Sequence, residues 1–408
     1  MIQGRDFIIA SSIEWNFLWQ GPQEIASRLA RAGNRVLYIE NTGVRSLRLS
    51  DATRVVTRLR NWTTAITRQG TRLVTPNLYT CSPLVLPPFG SRLQQELNRR
   101  LFLPLIVNAV GRLKMRNVII WSFLPTDTVV DLVRLLKPRL SATIYYCVAD
   151  FRELSSQPSR IEESEKELLG LSDLVLAQCA PLASHCSQWA KNVHVAPYGV
   201  NLEVFSNSTQ LGAETRAMAH RRDNGHDRNL MSRLPRPVIG YVGGLHRHLD
   251  LELLASMATI RPDWSWVCVG PAQLRVSSLS HVPNIHLIGN RPHEELAGLI
   301  EQFDVGIVPY VSSLYTDTVV PTKINEYLAM GKPVVSTAIP WVCEFNDRHR
   351  VLTTAVAQPE SFVRAIENAL QAKDEAARKQ RRAVAALSDW QNRLETICDL
   401  IGTVPKVH

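Results

Sequence analysis

Long apolar runs are missing from this 408-residue chain. The longest, "LFLPLIV" from Leu101 to Val107, falls far short of the ~18 residues that a spanning helix needs, so no transmembrane segment is expected. The start, "MIQGRDFIIASS", has no basic region followed by a long apolar stretch. It reads as a first strand rather than a secretory signal, and a cytoplasmic protein is expected. Paired cysteines are missing too. The seven cysteines (Cys81, Cys147, Cys179, Cys186, Cys268, Cys343 and Cys398) are scattered and form no C-x-x-C pair. This argues for buried free thiols rather than a metal or redox framework. No acidic D-x-D motif stands out, so no metal is expected, and neither a repeat nor a low-complexity tract is present.

Acidic residues are scarce in one region. Between Arg45 and Arg116 stand thirteen Lys or Arg against two acids, Asp51 and Glu96, within a net charge of +9. Such a field attracts nucleic acid, anionic lipid or an anionic substrate, or is simply a solvated face. The aromatics there, Trp62 and Phe102 among them, are not interleaved with the charges as base-stacking platforms would be, and nucleic acid is not expected as a partner. In "RSLRLSDATRVVTRLRNWTTAITRQGTRL" the basic residues share helical surfaces with Leu47, Val55, Val56, Leu59 and Trp62. That composition suits lying on a membrane, so an anionic surface on the inner face of the plasma membrane is the expected peripheral partner of 45–116.

What is present is an alternation repeated twice. Short apolar strands at 6–12, 35–41, 117–122, 142–148, 173–179 and 193–197 are separated by helical patterns, the first over about 22–32. Continuous apolar strands with helices between them predict a parallel sheet covered on both faces. The polar run from Asn207 to Pro237 has no apolar period and reads as a linker or mobile loop. The pattern then restarts, with strands at 237–244, 265–270, 285–290, 304–310 and 333–338 and helices over 250–260 and 293–303. A chain of this length exceeds what one core supports. The expected organisation is therefore α/β: two doubly wound, Rossmann-like domains facing a cleft, over 1–206 and 237–385, with 207–236 as linker. A helix over 386–408, with Leu387, Trp390, Leu394 and Ile397 on one stripe, is expected to pack back on the first domain.

Open α/β sheets bind ligands at the carboxyl ends of their strands, near helix N-termini. After the first strand, "EWNFLWQGPQEIA" carries Gly21, where backbone can approach a ligand, and Pro22 at a first helical position. After the strand at 237–244, "GYVGGLHRHLD" carries Gly243 and Gly244 with His246, Arg247 and His248, cations for a phosphate. In "VVPTKINEYLAMGKPVVST", Pro321 and Thr322 can start a helix that Gly331 ends, with Lys323 in its first turn and Glu326 one turn on. A lysine in a first turn opposes the helix dipole, for which an anionic ligand is a reason. Glu326 can accept two hydroxyls, as a ribose presents. Ordinary turns and a surface Lys–Glu pair are the bland alternatives for each of these stretches.

Taken in order, "LWQGPQEIASRLARAGNRVLYIEN", "SDLVLAQCAPLASHC", "VHVAPYGVNLEVF", "VIGYVGGLHRHLDLELLASMATIRPDWSWVCVGP", "NIHLIGNRPHEELAGLIEQFDVGIVPY" and "PTKINEYLAMGKPVV" resemble GT-B fold glycosyltransferases. The likeness is to the retaining family 4, of the bacterial polysaccharide-synthesis type, and covers nearly the whole chain. "YGVNLEVF" is similar to the family's N-G-V-D-x-x-x-F junction, with Tyr198 and Asn201 as departures. The resemblance implies transfer of a sugar from a nucleotide-diphosphate sugar to a lipid-linked or polysaccharide acceptor, with retention, without metal and without a bound cofactor. By it, Glu326 matches the second glutamate of an E-x7-E pattern, which holds the donor ribose. The first falls on Thr318, with Asp317 beside it. The Arg and Lys that typically grip the diphosphate fall near Gly244 and Asp250, leaving Lys323, Arg247 and the histidines as cations. In "YYCVADF", where similar proteins often carry adjacent acids, Asp150 remains. Lys323, Arg247 and Asp150 are thus the catalytic candidates. Glu326, Lys323, Gly243, Gly244, His246, Arg247, Gly21, Pro321 and Thr322 are the donor-binding candidates. A non-catalytic partner of a true transferase, and a sugar-nucleotide epimerase or phosphorylase of the same architecture, are the alternatives.

Overall fold

The computed structural model describes residues 1–40, 71–83, 85–205, 231–372 and 374–404. Most of the expected linker (207–230) and of the basic stretch (45–70, including Leu47, Val55, Val56, Leu59 and Trp62) lies outside the described residues. The chain divides into two compact units, Met1–Pro197 with Leu394–His408, and Tyr198–Arg393.

The first unit holds eight strands: β1 (Asp6–Ala10), β2 (Arg35–Ile39), β3 (Arg72–Thr75), β4 (Leu78–Cys81), β5 (Val118–Ser122), β6 (Leu140–Cys147), β7 (Leu174–Ala177) and β8 (Val193–Val195). Their order is β3-β4-β2-β1-β5-β6-β7-β8. β1 runs parallel to both β2 and β5, with Phe7 opposite Val36 on one side and Ile119 on the other. β5 is buried throughout and β1 and β2 in four of five positions, as strands covered on both faces must be. The sheet is not wholly parallel, which corrects the sequence expectation: β3 pairs antiparallel with β4. Only Pro76 and Asn77 link them, too few for a crossover, and Asn77 turns the chain at φ 66°.

Beyond β4 the chain runs helically through Arg92–Leu97, a π-type turn at Asn98–Phe102 and Leu103–Arg112. Leu103, Ile106 and Val110 are buried, whereas Leu93, Leu101 and Leu105 are 69%, 55% and 54% exposed. At the other end of the chain, Trp390, Leu394 and Ile397 are buried on the helix Trp390–Thr403, and Cys398 Sγ lies 4.0 Å from Met1 Sδ. Leu387, expected on the same stripe, is instead 64% exposed. It ends the preceding helix, Glu375–Ala386, and a turn separates the two helices, so their phases do not continue.

The second unit holds β9 (Val238–Val242), β10 (Ser265–Val269), β11 (Ile285–Gly289), β12 (Val305–Val308), β13 (Val334–Thr337) and β14 (Thr353–Ala355). Their order is β11-β10-β9-β12-β13-β14, with every pairing parallel. In chain order that is 3-2-1-4-5-6, the doubly wound arrangement. Helices Leu251–Ile260, His293–Ile300, Lys323–Ala329, Pro340–His349 and Pro359–Gln371 alternate with the strands. Gly306 permits the tight packing of one of them: a Cβ there would stand 2.6 Å from the Tyr327 ring, so the helix Lys323–Ala329 seats directly on β12.

All seven cysteines are free thiols, and all but the partly exposed Cys343 are buried. Among the described residues no helix is long and apolar enough to cross a membrane, and no group of three or more His, Cys, Asp or Glu could hold a metal.

Candidate active site

The winding of the second sheet reverses between β9 and β12, and a doubly wound sheet opens a crevice at the carboxyl ends of such a strand pair. β9 runs into Gly243, at φ 140°, whose N–H donates to Val269 O at 2.8 Å. Gly270, at φ 147°, follows β10 so closely that a Cβ on it would stand 2.0 Å from Gly243 O. Two glycine backbones are thus pressed together at the sheet's end, in a conformation that side chains rarely allow.

From the same end of β12 the chain passes Tyr310 and a 3-10 turn, Thr316–Thr318, to reach the helix Lys323–Ala329. The Thr316 hydroxyl ties the turn by donating to Val311 O at 2.8 Å and accepting from Ser313 N at 2.8 Å. Pro321 is buried, and Thr322 occupies the N-cap position with helical dihedrals and no side-chain cap. The helix is fixed instead by Tyr327, whose hydroxyl accepts the Val242 N–H at 2.8 Å.

Lys323 is the first residue of that helix, and it points into the crevice. Its ammonium donates to the Tyr310 hydroxyl and lies 4.8 Å from the centre of the Tyr310 ring and 5.3 Å from that of Tyr241. A Cβ on Gly243 would come within 3.1 Å of Lys323 Cε. The structure therefore brings Gly243 and Lys323 together, with two tyrosines holding the cation by their negative ring faces. Tyr241 donates in turn to Gly244 O at 3.1 Å.

The loop beyond Gly244 carries the remaining cations. The rings of His246 and Tyr310 are 6.0 Å apart, and His248 stacks on Tyr315 at 4.0 Å. Arg247 is exposed, its Nε donating to His248 Nε2 at 3.2 Å. Burial, and then the Arg247 charge, push the His248 pKa down to about 4, so this ring is neutral near pH 7. Asp250, where a lysine is typical by the resemblance, caps the next helix by accepting from Leu253 N at 2.8 Å.

Glu326 stands partly buried one turn after Lys323. Burial raises its pKa, and the charges of His293 and Lys323 oppose that rise. Thr318, at the first glutamate's position, donates its hydroxyl to Tyr315 O at 3.0 Å. Neighbouring Asp317 is exposed.

Gly21 and Asp150 belong to the first unit. Gly21 is the buried first residue of the helix Gly21–Arg31, entered through a capping box between Gln20 and Gln23. Asp150 caps a 3-10 turn, Phe151–Leu154, and pairs with Arg152 at 2.7 Å. Burial raises its pKa, but the Arg152 hydrogen bonds and charge outweigh it, and the net shift is downward.

Three residues of the site were invisible in the sequence. Tyr241 lies inside a strand and Tyr310 just past one, where aromatics usually mean core, and both are buried. Gln273 comes from the loop after β10, and a Cβ on Gly244 would stand 2.5 Å from its Nε2. No spacing in the chain links it to Gly244.

In doubly wound units, glycine loops at the switch point are a common place for phosphorylated ligands at the ends of the strands. The comparisons with known proteins specify the class. Over 97% of its length the chain matches a sucrose-phosphate synthase from Thermosynechococcus elongatus, covering 98% of that chain with TM-score 0.67 and 17% identity. It also matches Anabaena Alr3699/HepE solved in complex with UDP (97% and 99% coverage, TM-score 0.62, 13% identity). An E. coli trehalose-6-phosphate protein bound with UDP-2-fluoro glucose matches too (99% and 100% coverage, TM-score 0.64, 12% identity). The chain has the GT-B glycosyltransferase fold.

Residues 236–372, most of the second unit, match the model of the family Glycosyl transferases group 1. A Bacillus subtilis (strain 168) protein named as a teichuronic acid biosynthesis glycosyltransferase, TuaH, is 30% identical over 217 residues, which are 52% of this chain and 51% of that protein. The match thus spans about half the length of this curated relative.

Proposed function

We propose that the protein is a glycosyltransferase that takes a sugar from a nucleotide-diphosphate donor, a uridine diphosphate sugar in the first instance, and passes it to a lipid-linked or polysaccharide acceptor. The observation that carries this reading is the Lys323 ammonium held over Tyr241 and Tyr310 beside Gly243. In the transfer, the bond between the anomeric carbon and the diphosphate oxygen breaks, the diphosphate leaves with the electron pair, and an acceptor hydroxyl adds to the carbon and gives its proton to the departing diphosphate. Negative charge grows on the leaving oxygens, where a preoriented cation acts most strongly. Lys323 supplies that cation and Arg247 a second, more mobile one. Glu326 accepts the ribose hydroxyls. His246, Gly244, Pro321 and Thr322 shape the donor's surroundings. Retention of configuration and independence from metal follow from the resemblance. Asp150, paired with Arg152, is the remaining catalytic candidate of this reading.

Membrane contact through the first unit is part of this reading. Leu93, Leu101 and Leu105 are exposed in a stretch that also carries Arg92, Arg99 and Arg100, a composition that suits contact with an anionic leaflet. That location would present a lipid-linked acceptor. The TuaH likeness supports a polysaccharide acceptor, and the UDP in two related structures supports the donor class.

One observation favours a second reading, a non-catalytic partner: Thr318 replaces an acid and its hydroxyl is engaged with Tyr315. Donor hydrolysis over a panel of nucleotide sugars separates the two. Release of UDP from at least one donor, lost in Lys323→Ala, is the expected result. No hydrolysis or transfer with any donor, with UDP bound weakly or not at all by calorimetry, would overturn the transferase and favour the partner.

A further inference from the structure

At the amino-terminal ends of β13 and β14, the end of the sheet opposite Lys323, a cavity of about 190 Å³ is lined by Arg350, Thr353, Gln380 and Arg381, with Val334 and Leu352 among its apolar walls. Arg381 is 5% exposed. Its Nη1 donates to Gly331 O at 3.2 Å and its Nη2 to Ala372 O at 2.7 Å. Those carbonyls follow the ends of two helices, Lys323–Ala329 and Pro359–Gln371, whose partial negative charge the guanidinium meets. A simple helix strap would stop there.

Two further observations go beyond a strap. A guanidinium carries five N–H donors in a fixed fork, and two carbonyls do not exhaust them. Among the described residues neither Arg381 nor Arg350 has a carboxylate at ion-pair distance. Asp374, whose charge acts on Arg381, is not within ion-pair distance of it, and burial together with the Arg378 charge holds the guanidinium below its usual range. A dianion in the cavity would add the close counter-charge.

We propose that this cavity binds a phosphate group, carried on a small metabolite or present as orthophosphate, gripped by Arg381 and Arg350 with Gln380 and Thr353 as additional donors. The size sets the class. At roughly 30 Å³ per water the space equals about six waters, enough for a phosphate and a short carbon skeleton. It is below the roughly 300 Å³ at which pockets for larger ligands begin. The site is distinct from the donor crevice, because it lies at the amino-terminal ends of β13 and β14, whereas Lys323 stands beside Gly243, past the carboxyl end of β9.

The test is calorimetric titration of the full chain with orthophosphate and with glucose 1-phosphate at low ionic strength, on wild type, Arg350→Asn, Arg381→Gln and Lys323→Ala. Arg350 sits at φ 53°, which asparagine tolerates, so Arg350→Asn keeps the fold when Arg381→Gln does not. Saturable binding to wild type and to Lys323→Ala, at least tenfold weaker in Arg350→Asn, is expected. Tighter binding of the sugar phosphate identifies a metabolite as ligand, and equal binding identifies the phosphate alone. Absence of saturable binding to wild type overturns the proposal. So does binding that survives in Arg350→Asn and disappears in Lys323→Ala, which would assign the phosphate to the donor crevice.

Discussion

Lys323 and Tyr310 are joined twice, by a hydrogen bond from the ammonium to the phenol oxygen and by the ammonium's position 4.8 Å from the ring centre. The two contacts separate experimentally. Tyr310→Phe removes the first and keeps the second, whereas Tyr310→Leu removes both. If the ring holds the lysine for a leaving diphosphate, Tyr310→Phe should lose severalfold in turnover and Tyr310→Leu at least tenfold, since a cation–π contact is worth about 0.5–2 kcal/mol. Steady-state donor hydrolysis measures both. Equal activity in Tyr310→Leu and wild type would remove the cage from the mechanism.

Glu326→Ala should weaken UDP binding at least tenfold, because a hydrogen bond to a charged group is worth about 1.5–3 kcal/mol. Comparison with a 2'-deoxyuridine or 3'-deoxyuridine diphosphate locates the effect. A nucleotide lacking one contacted hydroxyl should lose less affinity on Glu326→Ala than UDP does. A full tenfold loss with both deoxy nucleotides would rule out the ribose contact.

His248 makes stability depend on pH. Its pKa falls from 6.5 to about 4 on folding, so between those values the unfolded chain binds the extra proton. Stability should therefore be lost as pH falls from about 6.5 towards 4, and be fully present above that window. His248→Phe keeps a ring on Tyr315 and should flatten this part of the profile in urea titrations. An unaltered slope in the variant would mean that other groups cause it.

Gly270→Ala should be strongly destabilising, because its Cβ would meet Gly243 O at 2.0 Å and φ is 147°. Thermal melting should drop by several degrees, with nucleotide affinity falling in step since Gly243 is the displaced partner. A melt within a degree of wild type would show that the two loops can part.

Vesicle co-sedimentation addresses the exposed leucines. Binding should rise with anionic lipid and fall with salt, at about 1 kcal/mol per engaged Arg or Lys. Replacing Leu101 and Leu105 by Ser should weaken it without lowering the melting temperature, because both side chains are more than half exposed. Equal recovery on neutral and anionic vesicles would dispose of the membrane role.

The sheet was readable where strands are continuous apolar runs, as in "NVIIWS" for β5 and "PVVSTA" for β13. Local patterns failed where they are weak. β3 is a four-residue edge strand with no buried side chain, so nothing in its composition marks it. The site was half legible. Lys323 announced itself by opposing the helix dipole, and Gly243 by following a strand. The tyrosines and Gln273 that complete it arrive from other strands and loops, through pairings that only the folded sheet creates.

The distribution of thiols offers a practical handle. Six of the seven lie buried, while Cys343 is partly exposed on the helix Pro340–His349, which packs on the turn Thr316–Thr318. A maleimide fluorophore should consequently attach to native protein at one position without prior removal of any cysteine. Its emission would report directly on whether the turn bearing Thr318 changes its surroundings when nucleotide arrives.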